Sequence, residues 1–137
     1  MAPAAPCFLD TSALYALFDR GQDEHADVAA SWDELVRSDA PLVTTNYVVL
    51  ELVALLQRRL GVDAVAALAD HVLPFVEVAW VTPETHGTAV SILRTSRRRD
   101  VSLVDCCSFT VMRDAGLVRA FALDAHFAEQ GFACIPA

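Results

Sequence analysis

No lysine occurs in this chain of 137 residues, and only five glycines do. The first absence excludes the phosphate-gripping G-x-x-x-x-G-K-S/T loop. It also excludes phosphoacceptor receivers and haloacid-dehalogenase-type phosphatases, which need a lysine beside their magnesium site. The second leaves no dinucleotide-binding fingerprint. No apolar run approaches the ~18–20 residues of a membrane span, so no membrane partner is expected. Met1-Ala2-Pro3-Ala4-Ala5-Pro6 has neither a basic start nor a long apolar centre, so we expect no signal peptide, a frayed end over residues 1–6 and a cytoplasmic protein. The four cysteines include no C-x-x-C pair, which fits neither a disulfide framework nor a zinc site and predicts buried, reduced thiols. The four histidines show no H-E-x-x-H spacing. Each reads as a lone surface or core residue, with His126 the exception because it adjoins Asp124.

What is abundant is apolar and acidic. Hydrophobic residues make up 55% and mean hydropathy is +0.39, which calls for an extensive core or a large interface. The net charge of −8 argues against broad electrostatic capture of nucleic acid. That argument weakens if the acids cluster, since two divalent ions in one pocket would offset four of those charges.

The length suits one domain, expected over residues 7–137. Strands are expected at 7–10, 41–44, 75–81, 118–123 and 132–135. Helices are expected at 13–18, 23–37, 46–60, 63–73, from Thr82 to the basic stretch, 102–114 and 124–130. Thr45 or Asn46 opens the helix that Gly61 stops, and Pro83 falls in the first turn of another. Alternating strands and helices imply an α/β fold, a three-layer α/β/α sandwich on a mostly parallel sheet.

Four carboxylates sit at the ends of, or inside, apolar runs: Asp10 after Cys7-Phe8-Leu9, Glu51 within Tyr47–Val53, Asp105 after Val101–Val104, and Asp124 after Phe121-Ala122-Leu123. An unpaired buried carboxylate costs several kcal/mol or takes up a proton. No arginine lies within three residues of any of the four. A shared divalent cation is the economical neutraliser, and oxygen ligation favours magnesium or manganese over zinc. Taken singly, Asp10 and Asp124 are also good helix N-caps, and Asp105 a favourable first-turn acid. Glu51 has Tyr47, Val48, Ala54 and Leu55 as helical neighbours, which points it into an apolar face, with an ion pair to Arg58 or Arg59 as the alternative. Arg94 with Arg97, Arg98 and Arg99 forms the one concentrated basic patch. It reads as a solvated helix end or as an RNA phosphate clamp beside the acids. Asp100 reads as a loop or cap acid.

Phe8-Leu9-Asp10-Thr11-Ser12-Ala13-Leu14, Asn46–Glu51, Val101–Cys106 and Leu123-Asp124-Ala125-His126-Phe127 together resemble the PIN-domain nucleases, most closely the VapC-type toxin ribonucleases of toxin–antitoxin pairs. The ordered set spans residues 7 to 134. The resemblance implies a Mg2+- or Mn2+-dependent endoribonuclease on a Rossmann-like fold, often a homodimer, with RNA as substrate and a small antitoxin as partner. Its catalytic acids would be Asp10, Glu51, Asp105 and Asp124, with Asp10 and Asp105 as metal ligands and the hydroxyls of Thr11 and Ser12 in support. One position departs: such relatives often carry Thr or Ser two before the last acid, where this chain has Ala122. A housekeeping RNA-processing nuclease and a non-catalytic module of the same fold are the alternatives. Helix 46–60, through Leu52, Leu55, Leu56 and Leu60, and helix 63–73 are the expected dimer or antitoxin surfaces.

Overall fold

Cys7–Leu9 forms β1, and all three side chains are shielded from solvent, as a parallel strand covered on both faces requires. The structure is a computed structural model that describes residues 3–137. After β1 the chain forms α1 (Thr11–Phe18), α2 (His25–Arg37), β2 (Leu42–Thr45), α3 (Asn46–Arg59) and α4 (Val62–Ala67). It continues through β3 (Glu77–Ala79), α5 (Pro83–Ser96), α6 (Leu103–Ala115), β4 (Arg119–Phe121), α7 (Ala125–Glu129) and β5 (Ala133–Ile135). Every strand pairing is parallel, in the order β3-β2-β1-β4-β5. Helices cover both faces, giving the three-layer α/β/α sandwich that the strand–helix alternation predicts.

Local chemistry sets the helix boundaries. Thr45 Oγ1 accepts from the Val48 amide, Thr82 Oγ1 from that of Thr85, and Pro83 occupies the first position of α5. Gly116 closes α6 in the left-handed region at φ 70°, where a side chain would be strained. The Leu117 amide then reaches back to the Met112 carbonyl at 2.8 Å. The core joins Phe8, Leu9, Leu14, Val48, Leu52, Leu56, Phe109, Met112, Phe121 and Phe127.

Three expectations need correction. The strand over 75–81 shrinks to Glu77–Ala79 at the sheet edge, because Leu73–Phe75 turns as a 3-10 helix and leaves Phe75 72% exposed. The helix over 63–73 ends at Ala67 and widens into a π-turn over Leu68–Val72, which buries Leu68 and Val72. On α3 the buried stripe is Val48, Leu52 and Leu56, so Glu51 lies outside it on exposed surface rather than in an apolar face. No ion pair to Arg58 or Arg59 is present among the described residues.

The four cysteines are free; Cys7, Cys106 and Cys107 are buried and Cys134 half-buried. Burial pushes the Cys7 and Cys107 thiols up to about 11, so both stay protonated and unreactive near neutrality. Met1 and Ala2 of the expected frayed end lie outside the described residues. Of the rest, Ala4 packs on the core, and Arg119 donates to the Ala5 and Pro6 carbonyls.

Candidate active site

The chain winds outward from β1 through β2 to β3, then crosses back to β4 and β5 on the other side of β1. Strand order therefore reverses between β1 and β4, and the crevice beyond their C-terminal ends is where such sheets bind ligands. Leu9 and Phe121 are paired at those ends. Asp10 follows at once, its amide donating to the Phe121 carbonyl at 3.0 Å, and Asp124 comes three residues after β4.

Asp10 caps α1 and is only 3% exposed. Its Oδ2 accepts from the Ser12 amide at 3.1 Å and from the Ser12 hydroxyl at 2.6 Å. The same hydroxyl oxygen accepts the amides of Leu123 at 2.9 Å and Asp124 at 3.2 Å. Ser12 thus ties the start of α1 to the loop after β4 and holds two of the acids in register. Asp105 sits in the first turn of α6 in a reciprocal cap: Ser102 Oγ accepts from the Asp105 amide, and Asp105 Oδ2 accepts from the Ser102 amide, each at 3.1 Å. Asp124 caps α7 and accepts from the His126 amide at 2.9 Å. Phe127, fully buried against Phe8 and edge-on to Phe109 with centroids 5.0 Å apart, clamps this short helix to β1 and α6.

Asp10, Asp105 and Asp124 are close enough to repel. Burial, with the charges of Asp105 and Asp124 added, pushes the Asp10 carboxyl up to about 7 despite the bonds from Ser12. Burial also raises Asp105, and Asp124 and Glu51 add to the rise while Ser102 opposes it. Glu51 thus reaches the cluster electrostatically from its exposed rim position. Among the described residues, Asp10, Glu51 and Asp105 make no ion pair.

Such a donor set fits a divalent cation. One oxygen each from Asp105 and Asp124 and one nitrogen of His126 lie within 4.8 Å of one another. Thr11 Oγ1, beside Asp10, is buried without a hydrogen-bond partner.

The basic patch resolves differently. Arg98 grips Asp100 with two bonds, at 3.0 and 2.7 Å, and reaches Glu129 at 2.9 Å. Its guanidinium is therefore engaged by carboxylates, whereas Arg97 and Arg99 make no ion pair among the described residues. The same pairing holds Asp100 well below the usual carboxylate range. His126 links the two acid groups. Its Nε2 lies 3.1 Å from Asp100 Oδ2 and its Nδ1 2.7 Å from Asp124 Oδ1, the latter without the alignment of a hydrogen bond. The bond to Asp100 chiefly raises the His126 pKa, which burial opposes. From the sequence, His126 is visible only as a neighbour of Asp124, because Asp100 lies 26 residues away.

The chain is 38% identical over 127 residues to VapC20, a 23S rRNA-specific endonuclease of Mycobacterium tuberculosis, covering 91% of this chain and 94% of that one. The crystal structure of VapC20, described as a sarcin-ricin loop cleaving toxin, superimposes with a TM-score of 0.79 at 36% identity, over 95% of this chain and 97% of its own. FitAcB from Neisseria gonorrhoeae shares the fold with a TM-score of 0.68 at 17% identity, over 93% and 95% of the two chains. Residues 7–133 match the family model described as the PIN domain. By that match and by its identity to VapC20, the chain belongs to the PIN domain family.

Proposed function

We propose that this protein is a divalent-metal-dependent endoribonuclease and the toxin of a toxin–antitoxin pair, with residues 7–137 as one nuclease domain. The observation that carries the reading is the meeting of Asp10, Asp105 and Asp124 at the switch point with no arginine paired to any of them among the described residues. The similarity to VapC20 supports RNA as substrate and makes 23S rRNA the first target to test.

A bound Mg2+ or Mn2+ would supply a nucleophilic water near neutral pH and would offset charge developing on the phosphate. Asp10 and Asp105 would hold the cation, and Asp124 would complete the inner rim. Ser12 fixes the Asp10 carboxylate, and the Thr11 hydroxyl lies beside it. Glu51, exposed and coupled to Asp105, supplies the outer acid. Arg97 and Arg99 flank the path of the RNA backbone.

The protein works in the cytoplasm as a homodimer held in check by a small antitoxin. Of the expected interface leucines, Leu52 and Leu56 are buried in the core. The surface that supports the dimer is a groove of about 560 Å³ lined by Tyr47, Val49, Leu50, Val53, Leu73 and Trp80, where Leu50 is 70% and Trp80 75% exposed.

The test is incubation of the purified protein with ribosomal RNA and Mg2+ or Mn2+, with EDTA and an Asp10→Asn variant as controls. Discrete fragments that need both the metal and Asp10 are expected. Cleavage that survives EDTA, or that Asp10→Asn still performs, overturns the reading.

A further inference from the structure

The acidic centre carries one nitrogen. His126 Nδ1 is buried, has no hydrogen-bond partner and lies 2.7 Å from Asp124 Oδ1. The opposite ring nitrogen, Nε2, is engaged by Asp100 Oδ2 at 3.1 Å. A neutral ring with its proton on Nε2, facing that carboxylate, would keep a lone pair on Nδ1, on the side of the acids. Asp100 is itself fixed by two bonds from Arg98, and Arg98 by a third to Glu129. A carboxylate that orients an imidazole from behind, with the free nitrogen turned toward anionic oxygens, is how metal-ligating histidines are supported.

We infer that His126 supplies a nitrogen ligand, through Nδ1, to the cation of the centre formed by Asp10, Asp105 and Asp124, and that the centre therefore prefers manganese to magnesium. Adjacent ligands on an ion with bonds near 2.1 Å stand roughly 3 Å apart, and opposite ones roughly 4.2 Å. The contact at 2.7 Å and the three donor atoms within 4.8 Å of one another fit that spacing with little movement. Magnesium gains little from an imidazole, whereas first-row transition ions bind it well, so a nitrogen in an oxygen site shifts preference toward them. The Arg98–Asp100 pair acts as the brace that holds the ring in place.

The inference rests on the nuclease reading and is tested apart from it by the spectrum of the bound ion. Pulsed EPR of the Mn2+-loaded protein should show coupling to an imidazole nitrogen. In His126→Gln that coupling should vanish while Mn2+ still binds through the carboxylates. Asp100→Asn keeps every ligand but loosens the ring, so Mn2+ affinity should fall about 10-fold or more, with Mg2+ affinity changing much less. Mn2+ bound without nitrogen coupling in the unaltered protein overturns the inference and leaves the carboxylate centre standing. Coupling that persists in His126→Gln overturns it as well, by assigning the nitrogen elsewhere. Failure of the unaltered protein to bind Mn2+ at all overturns both this inference and the nuclease reading.

Discussion

Asp124, beyond the tip of β4, and Asp100, in the α5–α6 loop, touch the same histidine, yet the inner acids and the outer one are neutralised in opposite ways. Asp100 is exposed and gripped by Arg98, which holds it well below the usual carboxylate range. Asp10 is buried, has only Ser12 as a partner, and is pushed up to about 7. The chain's arginine is thus spent where an acid braces structure and is absent where acids converge in the crevice. An arginine at Asp10 would relieve the burial penalty and occupy the place of a cation. Its absence leaves an excess of negative charge that a proton offsets at lower pH and a bound cation would offset near neutrality.

Removing one crevice acid should have the largest effect. Asp105→Asn deletes a charge that the reciprocal cap with Ser102 already holds in position, so the fold should persist. Activity should not. Losing several kcal/mol of cation and transition-state stabilisation corresponds to at least ~10³-fold in the cleavage rate. Single-turnover cleavage of rRNA measures this, and a loss of under ten-fold would show that the crevice acids are ordinary helix caps.

Stability against pH separates the two acid groups next. The folded Asp10 pKa of about 7 lies above its unfolded value near 3.8, so the unfolded chain releases its proton first as pH rises. Metal-free protein should therefore keep this stability below about pH 4 and lose it progressively as pH climbs to about 7. The gap is worth on the order of 4 kcal/mol, and the raised Asp105 adds in the same direction. Urea midpoints at pH 5 and pH 8 read the loss directly. Asp10→Asn should flatten the profile and make metal-free protein more stable at pH 8, and Mn2+ should restore the unaltered protein there. A midpoint that rises between pH 5 and pH 8 would show Asp10 to be satisfied without a cation.

The bond network around Asp10 gives a smaller, two-part effect. Ser12→Ala removes one donor to Asp10 and the shared acceptor for two amides. Stranding those groups should cost about 1–3 kcal/mol, and the loosened acid should bind Mn2+ about 10-fold more weakly. Calorimetric titration and denaturant unfolding measure the two halves. A change in stability with unaltered metal affinity would leave Ser12 a structural cap alone.

The contrast between the two acid groups was half legible in the sequence. Asp10, Asp105 and Asp124 announce themselves because each closes an apolar run, and a carboxylate there must be a cap, a partner or a ligand. The helix boundaries and the α/β order are equally local, the boundaries written in Thr45, Thr82-Pro83, Ser102 and Gly116. What needed the fold is non-local or angular. Glu51 sits in an apolar run, but a helix turns about 100° per residue, so Leu50 and Glu51 fall outside the stripe of Val48, Leu52 and Leu56. The edge position of β3 is equally a matter of sheet order, and no spacing within 75–81 encodes it. Arg98 reads as free positive charge until Glu129, 31 residues on, is seen to take it.

Disrupting the exposed group instead should change least, which makes it the sharpest control. Arg98→Gln breaks bonds to Asp100 and Glu129 that are exposed to solvent and screened by salt, and such surface pairs contribute little. The melting temperature should move by less than ~3 °C, and added salt should erase most of that shift. Cleavage at saturating Mn2+ should stay within about three-fold, because no crevice acid loses a direct partner; only the metal concentration needed should rise, through a looser Asp100 and His126. If Arg98→Gln abolished cleavage at saturating metal with the fold intact, the arginine would belong to the RNA path after all. The division between a braced outer acid and an unneutralised inner one would then have been drawn in the wrong place.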